Sequence, residues 1–206
     1  MLDQGFYTRP VLTVARDLIG KYIVREVGGE TVAALITECE AYGGEGPETS
    51  DRASHAYGGR RTARTDVMFS CGGCIYVYLI YGMYPMLNIV AEREGVAAAV
   101  LLRAGDIVAG HNAASKFRYC LPYDSLTNTQ KKNLSNGPGK LCKALGITTA
   151  DTRASLLSQK LYVTQSLPGV TAADFNIITA KRVNIDYAKE AADFPWRFIA
   201  HQIVRR

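Results

Sequence analysis

Histidine, tryptophan and proline are scarce in this 206-residue chain, at three, one and seven residues. Cysteine is present but odd in number, five at irregular spacing, which excludes a disulfide framework and points to a reducing compartment. Cys71-Gly72-Gly73-Cys74 has the spacing of a zinc or redox pair. It lacks a second CxxC or an HxxxH, and it precedes a strand pattern where a redox pair would open a helix. Neither a metal nor a cofactor is expected. Charge is missing from Val67 to Ala91, a length that has to be tested as a membrane span. Gly72, Gly73, Gly82, Pro85 and Asn88 interrupt it, and its tyrosines recur at strand spacing, so buried sheet is expected and no membrane association. The start, Met1-Leu2-Asp3-Gln4-Gly5, carries an acid where a secretory signal needs a base,. An intracellular protein is therefore expected, cytoplasmic in a bacterium and nuclear in a eukaryote.

Acid is almost absent from one stretch. Between Ile107 and Ala150 the sole acidic residue is Asp124, against Lys116, Arg118, Lys131, Lys132, Lys140 and Lys143, so this stretch carries the whole net charge of +5. Such a surface attracts polyanions, although on charge alone a solvated lysine face reads equally well. Composition is otherwise ordinary, at 48% hydrophobic and 21% charged, and excludes a disordered or fibrous chain. A chain of this length buries roughly 70% of its unfolded surface. With no repeat and no linker, residues 1–206 read as a single domain.

Pro10 opens a helix over Arg9–Ile19, with Val11, Val14, Ala15 and Leu18 on one face and Gly20 as the stop,. Lys21–Val27 and Thr31–Tyr42 alternate as strands around a Gly28-Gly29 turn. Gly43–Gly59 is a long polar loop, a length usually reserved for function. Strands follow at Ile75–Tyr81, Met86–Ala91 and Ala97–Arg103. Helix is expected within Asp106–Tyr119 and over Pro138–Leu145, and late strands at Leu161–Gln165, Phe175–Lys181 and Trp196–Val204. The fold class is α+β: one domain around a curved, mainly antiparallel sheet, with flanking helices and a protruding hairpin.

Three places can carry chemistry. In the strand Ile36–Tyr42, Glu38, Glu40 and Tyr42 share a face, with neighbours roughly 7 Å apart. A solvated strand face is the plain alternative, but glutamate is a poor strand former and two together need a reason. In Ile75–Tyr84, Tyr76, Tyr78 and Ile80 share one face, and Tyr81-Gly82-Met83-Tyr84 places three large side chains at a tight turn with little core to cover them. Exposed side chains of this kind suit a wedge entering a base stack. His55 lies in the long loop, followed by Arg60, Arg61, Thr62 and Arg64, a phosphate-contacting segment or a plain surface loop. Asn136-Gly137-Pro138-Gly139-Lys140-Leu141 is spaced like a phosphate loop, but Leu141 stands where Ser or Thr must bind magnesium. What remains is a helix start whose Lys140 suits a single DNA phosphate.

Together these segments resemble the alkyladenine (3-methyladenine) DNA glycosylases of the mammalian type. The resemblance is carried by Thr37-Glu38-Cys39-Glu40-Ala41-Tyr42, by Ser54-His55-Ala56 with Gly59 and Arg64, and by Met68-Phe69. It continues through Tyr76-Val77-Tyr78-Leu79-Ile80-Tyr81-Gly82-Met83, Asn88, Leu101-Leu102-Arg103-Ala104 and Gly137-Pro138-Gly139-Lys140-Leu141-Cys142. It implies that Glu40 is the general base activating water and that Arg103 helps hold that water. It implies further that Tyr42, His55 and Tyr78 sandwich a flipped base, while Asn88 gates the pocket against guanine. Tyr81 would fill the vacated space, Met83 and Tyr84 would enter the minor groove, and Arg60, Thr62 and Lys140 would touch the backbone. A main-chain carbonyl within Arg182-Val183-Asn184-Ile185 would position the water. Thr65 departs from the family, which usually has Asn there.

The expected activity is base excision: hydrolysis of the N-glycosidic bond of alkylated or deaminated purines (3-methyladenine, 7-methylguanine, hypoxanthine, ethenoadenine), without strand cleavage. The expected partner is double-stranded DNA containing a damaged purine, bound by a monomer. Two competitors share parts of the pattern. A non-catalytic damaged-DNA binding protein would not need Glu40, and a hydrolase of free nucleosides would not need Met83, Tyr84 or the basic stretch.

Overall fold

The structure, a computed structural model, describes residues 1–44, 51–171 and 173–205, with the backbone alone at 173 and 202–205. The expected loop over Gly43–Gly59 thus falls partly outside the described residues, at 45–50. After a short helix α1 (Gln4–Tyr7), helix α2 (Val11–Leu18) buries Val11, Val14, Ala15 and Leu18. Pro10 is its N-cap, and the carboxylate of Glu92 accepts from Val11 N at 3.0 Å. The strands are β1 (Tyr22–Val27), β2 (Glu30–Gly43), β3 (Ile75–Ile80), β4 (Tyr84–Val90), β5 (Ala98–Ala109), β6 (Leu161–Thr164), β7 (Ala173–Ala180) and β8 (Arg197–Arg205). They form one open antiparallel sheet ordered β3-β4-β5-β2-β1-β6, with β8 joining β2 and β7 pairing β8. The expected α+β domain is the observed one.

The helix expected within Asp106–Tyr119 is present, and the strand expected over Ala97–Arg103 runs further than its pattern suggests. Asp106 to Ala109 continue β5, and the helix α3 begins only at His111 and runs to Tyr119. β2 is long enough to pair with β5 from Ala33 to Gly43, so these residues find ladder partners before the chain can turn into helix. Helices α4 (Asn128–Lys132) and α5 (Pro138–Ala144) follow.

One face of the sheet packs Ile75, Val77, Leu87, Ile89, Val100, Leu102, Cys39 and Ala41 against α2, α3 and α5 in the main core. α5 approaches β4 closely at Gly139, where a Cβ would lie 3.4 Å from that of Tyr84. The opposite face carries the site.

A candidate nucleobase cleft

Side chains directly opposite across antiparallel strands share a face of the sheet. The register pairs Tyr76 with Asn88, Asn88 with Leu101, Leu101 with Glu40, and Glu40 with Arg197. These residues form one row across five strands. Tyr78 with Met86, and Tyr42 with Ala99, stand on the same face two residues along. Two small cores flank this face: Ala56, Val67, Met68, Tyr76, Val90 and Ala99 on one side, and Ala53, Ile185, Ala188 and Ala191, with Tyr42 against them, on the other. Between them lies a cleft of about 470 Å³, floored by Tyr76, Asn88 and Leu101 and walled by Tyr42, His55 and Tyr78. That is within the usual range for a small-molecule or base site.

Glu40 lies beneath the cleft without exposed surface, so the solvated-face alternative does not hold. Its Oε2 accepts from the Tyr42 hydroxyl at 2.8 Å and from Arg103 Nη1 at 3.2 Å, and its Oε1 accepts from Val183 N at 2.8 Å. A carboxylate offers about four acceptor sites, and these donors take three of them. Arg103 reaches Glu40 because of a bulge. Glu38 pairs with Ala104 and Cys39 with Leu102, which leaves Arg103 as the extra residue of β5, the kind of irregularity that re-aims a side chain beside an active site. Arg103 Nε also donates to Glu38 at 2.9 Å, and Arg197 Nε lies 2.7 Å from the same oxygen.

The aromatic walls are neutral donors. Burial, and then the charge of Glu40, push the Tyr42 hydroxyl far above its ordinary range, and burial pushes Tyr78 up to about 12. His55 and Tyr78 stand with centroids 4.6 Å apart and planes at 82°, so a flat ligand can stack on one of them and meets the edge of the other. His55 Nδ1 lies 3.1 Å from the Tyr76 hydroxyl, and Arg64 Nη2, a donor, lies 3.2 Å from His55 Nε2. Arg64 therefore selects the tautomer with the proton on Nδ1.

Burial, then the Arg64 charge, lower His55 from 6.5 to about 4. Below pH 6.5 the unfolded chain takes up a proton at this histidine that the folded protein refuses. Stability should therefore fall as pH drops from 6.5 toward 4, by about 2–3 kcal/mol from this group. Chemical denaturation at pH 7 and pH 4.5 should show a smaller acid loss in His55→Gln than in the parent. Equal losses would mean that His55 titrates normally.

Asn88 is buried, and both hydrogens of its amide are donated, to Tyr76 O and Met86 O at 3.1 Å each. At the hairpin tip Tyr81, Met83 and Tyr84 are 86%, 59% and 45% exposed. Tyr81 and Tyr84 also line the mouth of the cleft, while Met83 does not. Tyr81 sits in the turn outside the strand, at φ 53, beside Gly82 at φ 70.

Arg60 and Thr62 line a neighbouring pocket that shares His55, Arg64 and Tyr187 with the cleft. Thr65 is buried and holds their segment, donating to Arg60 O at 2.8 Å and accepting from Thr62 N at 2.8 Å. Lys140 lies outside the cleft, its ammonium held by Asn133 and Asn136, although Pro138 at the same helix start reaches the cleft rim. The basic stretch meets the hairpin at Lys143, whose Nζ is 5.4 Å from the Tyr84 ring centre. Arg182 and Val183 were expected only as part of a segment offering a main-chain carbonyl to water, and Asp51 was not among the expected site residues. Val183 acts through its backbone N–H, which no residue type announces. Arg182 and Asp51 form an ion pair without side-chain exposure.

A family model for methylpurine-DNA glycosylase matches residues 5–203. A protein from Clostridium perfringens named as a 3-methyladenine DNA glycosylase is 46% identical over 198 residues, covering 96% of this chain and 94% of its own. One of the same name from Alkaliphilus oremlandii is 47% identical over 197 residues, with 96% and 94% covered. A third, from Bacillus cytotoxicus, is 44% identical over 195 residues, with 94% and 92% covered. All three are bacterial. Among the described residues, no helix is long and apolar enough to cross a membrane.

Proposed function

The chain belongs to the methylpurine-DNA glycosylase family, and from that premise we propose a site of the mammalian alkyladenine glycosylase type, in which Glu40 drives hydrolytic release of damaged purines. The family makes it a DNA-repair glycosylase acting on DNA; the lesion class and the residue roles are the proposal. The observation that carries it is a fully buried carboxylate, held by three donors, under a cleft walled by aromatic rings.

A purine inside duplex DNA is out of reach, so it must be turned out of the stack at a cost of a few kcal/mol. Stacking on an aromatic ring returns about 1–3 kcal/mol per base. Here the base stacks on Tyr42 from one side and meets His55 and Tyr78 from the other. A methylated purine such as 3-methyladenine is cationic, and it gains an attraction to these rings that a normal base lacks. His55, neutral above about pH 4, adds no opposing charge. Asn88 is buried at the floor of the cleft, where its bulk works against the 2-amino group of guanine.

Bond cleavage leaves positive charge on the sugar while water attacks. Glu40 opposes that charge and takes the water's proton; general base catalysis of this kind contributes about 10²–10⁴-fold. Arg103 and Tyr42 hold Oε2, and small shifts of these two side chains admit the water as the sugar is seated. Tyr81 takes the vacated place in the duplex, with Met83 and Tyr84 in the minor groove and Arg60, Thr62 and Lys140 on the backbone. Among the described residues no lysine lines the cleft, which favours hydrolysis without Schiff-base chemistry or strand cleavage. One lesion engages one copy, so the protein acts as a monomer.

The test is a panel of duplexes, each carrying one 3-methyladenine, 7-methylguanine, hypoxanthine or ethenoadenine. Free base should appear with an abasic site in an otherwise intact strand. Release from none of them, or a borohydride-trapped protein–DNA adduct, would contradict the proposal.

A further inference from the structure

The ion pair between Arg182 and Asp51 has no part in the hydrolysis described above, yet it engages both terminal nitrogens of the guanidinium fully and leaves Nε alone without a partner among the described residues. Arg182 Nη1 donates to Ala41 O at 2.9 Å and to Asp51 Oδ2 at 2.8 Å; Nη2 donates to Asp51 Oδ1 at 2.7 Å and to Ala191 O at 3.0 Å. Asp51 in turn accepts from Gly43 N at 2.9 Å and Ala53 N at 3.1 Å. The guanidinium carbon lies 4.7 Å from the Tyr42 ring centre and 5.0 Å from that of Trp196.

These contacts meet three of the segments that shape the cleft. Ala41 and Gly43 bracket Tyr42 on β2. Asp51 and Ala53 begin the segment that carries His55. Ala191 ends the segment that starts with Val183, whose N–H holds Glu40. Arg182 itself does not line the cleft, so its guanidinium backs the Tyr42 ring from the protein side. A buried ion pair is poor evidence of a stabilising role, because desolvation offsets its attraction and apolar residues of similar volume often serve the fold better. A planar fork that also stacks on a ring is what only arginine offers. Its cost is explained if what it supplies is geometry.

We propose that the Arg182–Asp51 pair is a positioning device that sets, together, the separation of Tyr42 from the His55 wall and the aim of Glu40. This rests on the glycosylase reading. The pair touches neither base nor water; it acts through Tyr42, the segment carrying His55, and the Val183 amide. It couples lesion choice to the chemical step, because the same guanidinium holds the wall that judges the base and the segment that holds the carboxylate.

Arg182→Lys keeps the charge but loses the fork and the stacking. Two measurements separate positioning from mere stability. Affinity for a duplex carrying an abasic-site analogue uses the hairpin and backbone contacts but places no base in the slot, and should match the parent. Single-turnover excision at saturating protein should fall, on the order of 10²-fold for a displacement near 1 Å, and the ratio of hypoxanthine to ethenoadenine excision should change. Unchanged excision and an unchanged ratio, with only a lower melting temperature, would overturn the proposal. If Arg182→Lys fails to bind the abasic duplex, Asp51→Asn, which keeps the shape of the acceptor, is judged by the same two readouts. A parent protein that releases no base from any duplex removes the glycosylase reading instead, so the two failures are distinct.

Discussion

Glu40→Gln should bind a lesion-bearing duplex as tightly as the parent and release base about 10²–10⁴-fold more slowly. The substitution preserves volume in a site with no exposed surface, so loss of activity cannot be assigned to a collapsed cleft. The amide oxygen can still accept a hydrogen bond, and Arg103 retains Glu38 at 2.9 Å, so Arg103 keeps a counter-charge. Leaving one donor imperfectly matched costs about 1–3 kcal/mol of stability, which a melting curve will register as a shifted but still cooperative transition. Single-turnover assays and equilibrium binding on the same ethenoadenine duplex separate the two effects. A damaged-DNA binding protein without chemistry would have no use for the carboxylate. Base release by Glu40→Gln at the parent rate would remove the assigned role.

Tyr81→Asn should move stability and function in opposite directions. A non-glycine residue in the left-handed region costs about 1–2 kcal/mol, and Tyr81 at φ 53 is followed by Gly82 at φ 70. Met83 N donates back to Ile80 O at 3.2 Å, which closes a mirror-image turn of the sort Asn-Gly normally makes. The Tyr81 ring is 86% exposed, so replacing it removes little core. Asn tolerates the turn, and the variant should be as stable as the parent or more so by denaturant titration. Strain kept without structural benefit marks a functional position. If the ring occupies the gap left by the base, losing it costs about 1–3 kcal/mol of stacking, or roughly 5- to 150-fold in affinity for the lesion duplex. A variant that is less stable but binds and excises normally would make Tyr81 a structural residue.

Much of the site could be read from spacing, because a strand has period two. Glu40 and Tyr42 two residues apart, and Tyr76, Tyr78 and Ile80 likewise, had to share faces; the four besides Glu40 line one cleft, and Glu40 is buried beneath it. Which strands bring those faces together depends on register, and spacing carries no register. The row from Tyr76 through Asn88, Leu101 and Glu40 to Arg197 depends on pairings among five strands. The bulge that turns Arg103 toward Glu40 leaves no mark on residue type. That β5 runs past Arg103 to Ala109 is decided by the length of β2, which the residues of β5 do not carry. Backbone donors such as Val183 N–H are invisible by nature. Asp51 and Arg182, 131 positions apart, had no local pattern to join them.

The most direct test of Glu40 and its cleft is a crystal structure of Glu40→Gln bound to a duplex with one ethenoadenine. The lesion should lie against Tyr42 and between it and the His55–Tyr78 wall, its glycosidic carbon facing residue 40, with Tyr81 in the vacated position. A base still stacked in the duplex, or held outside an empty slot, would contradict the assignment.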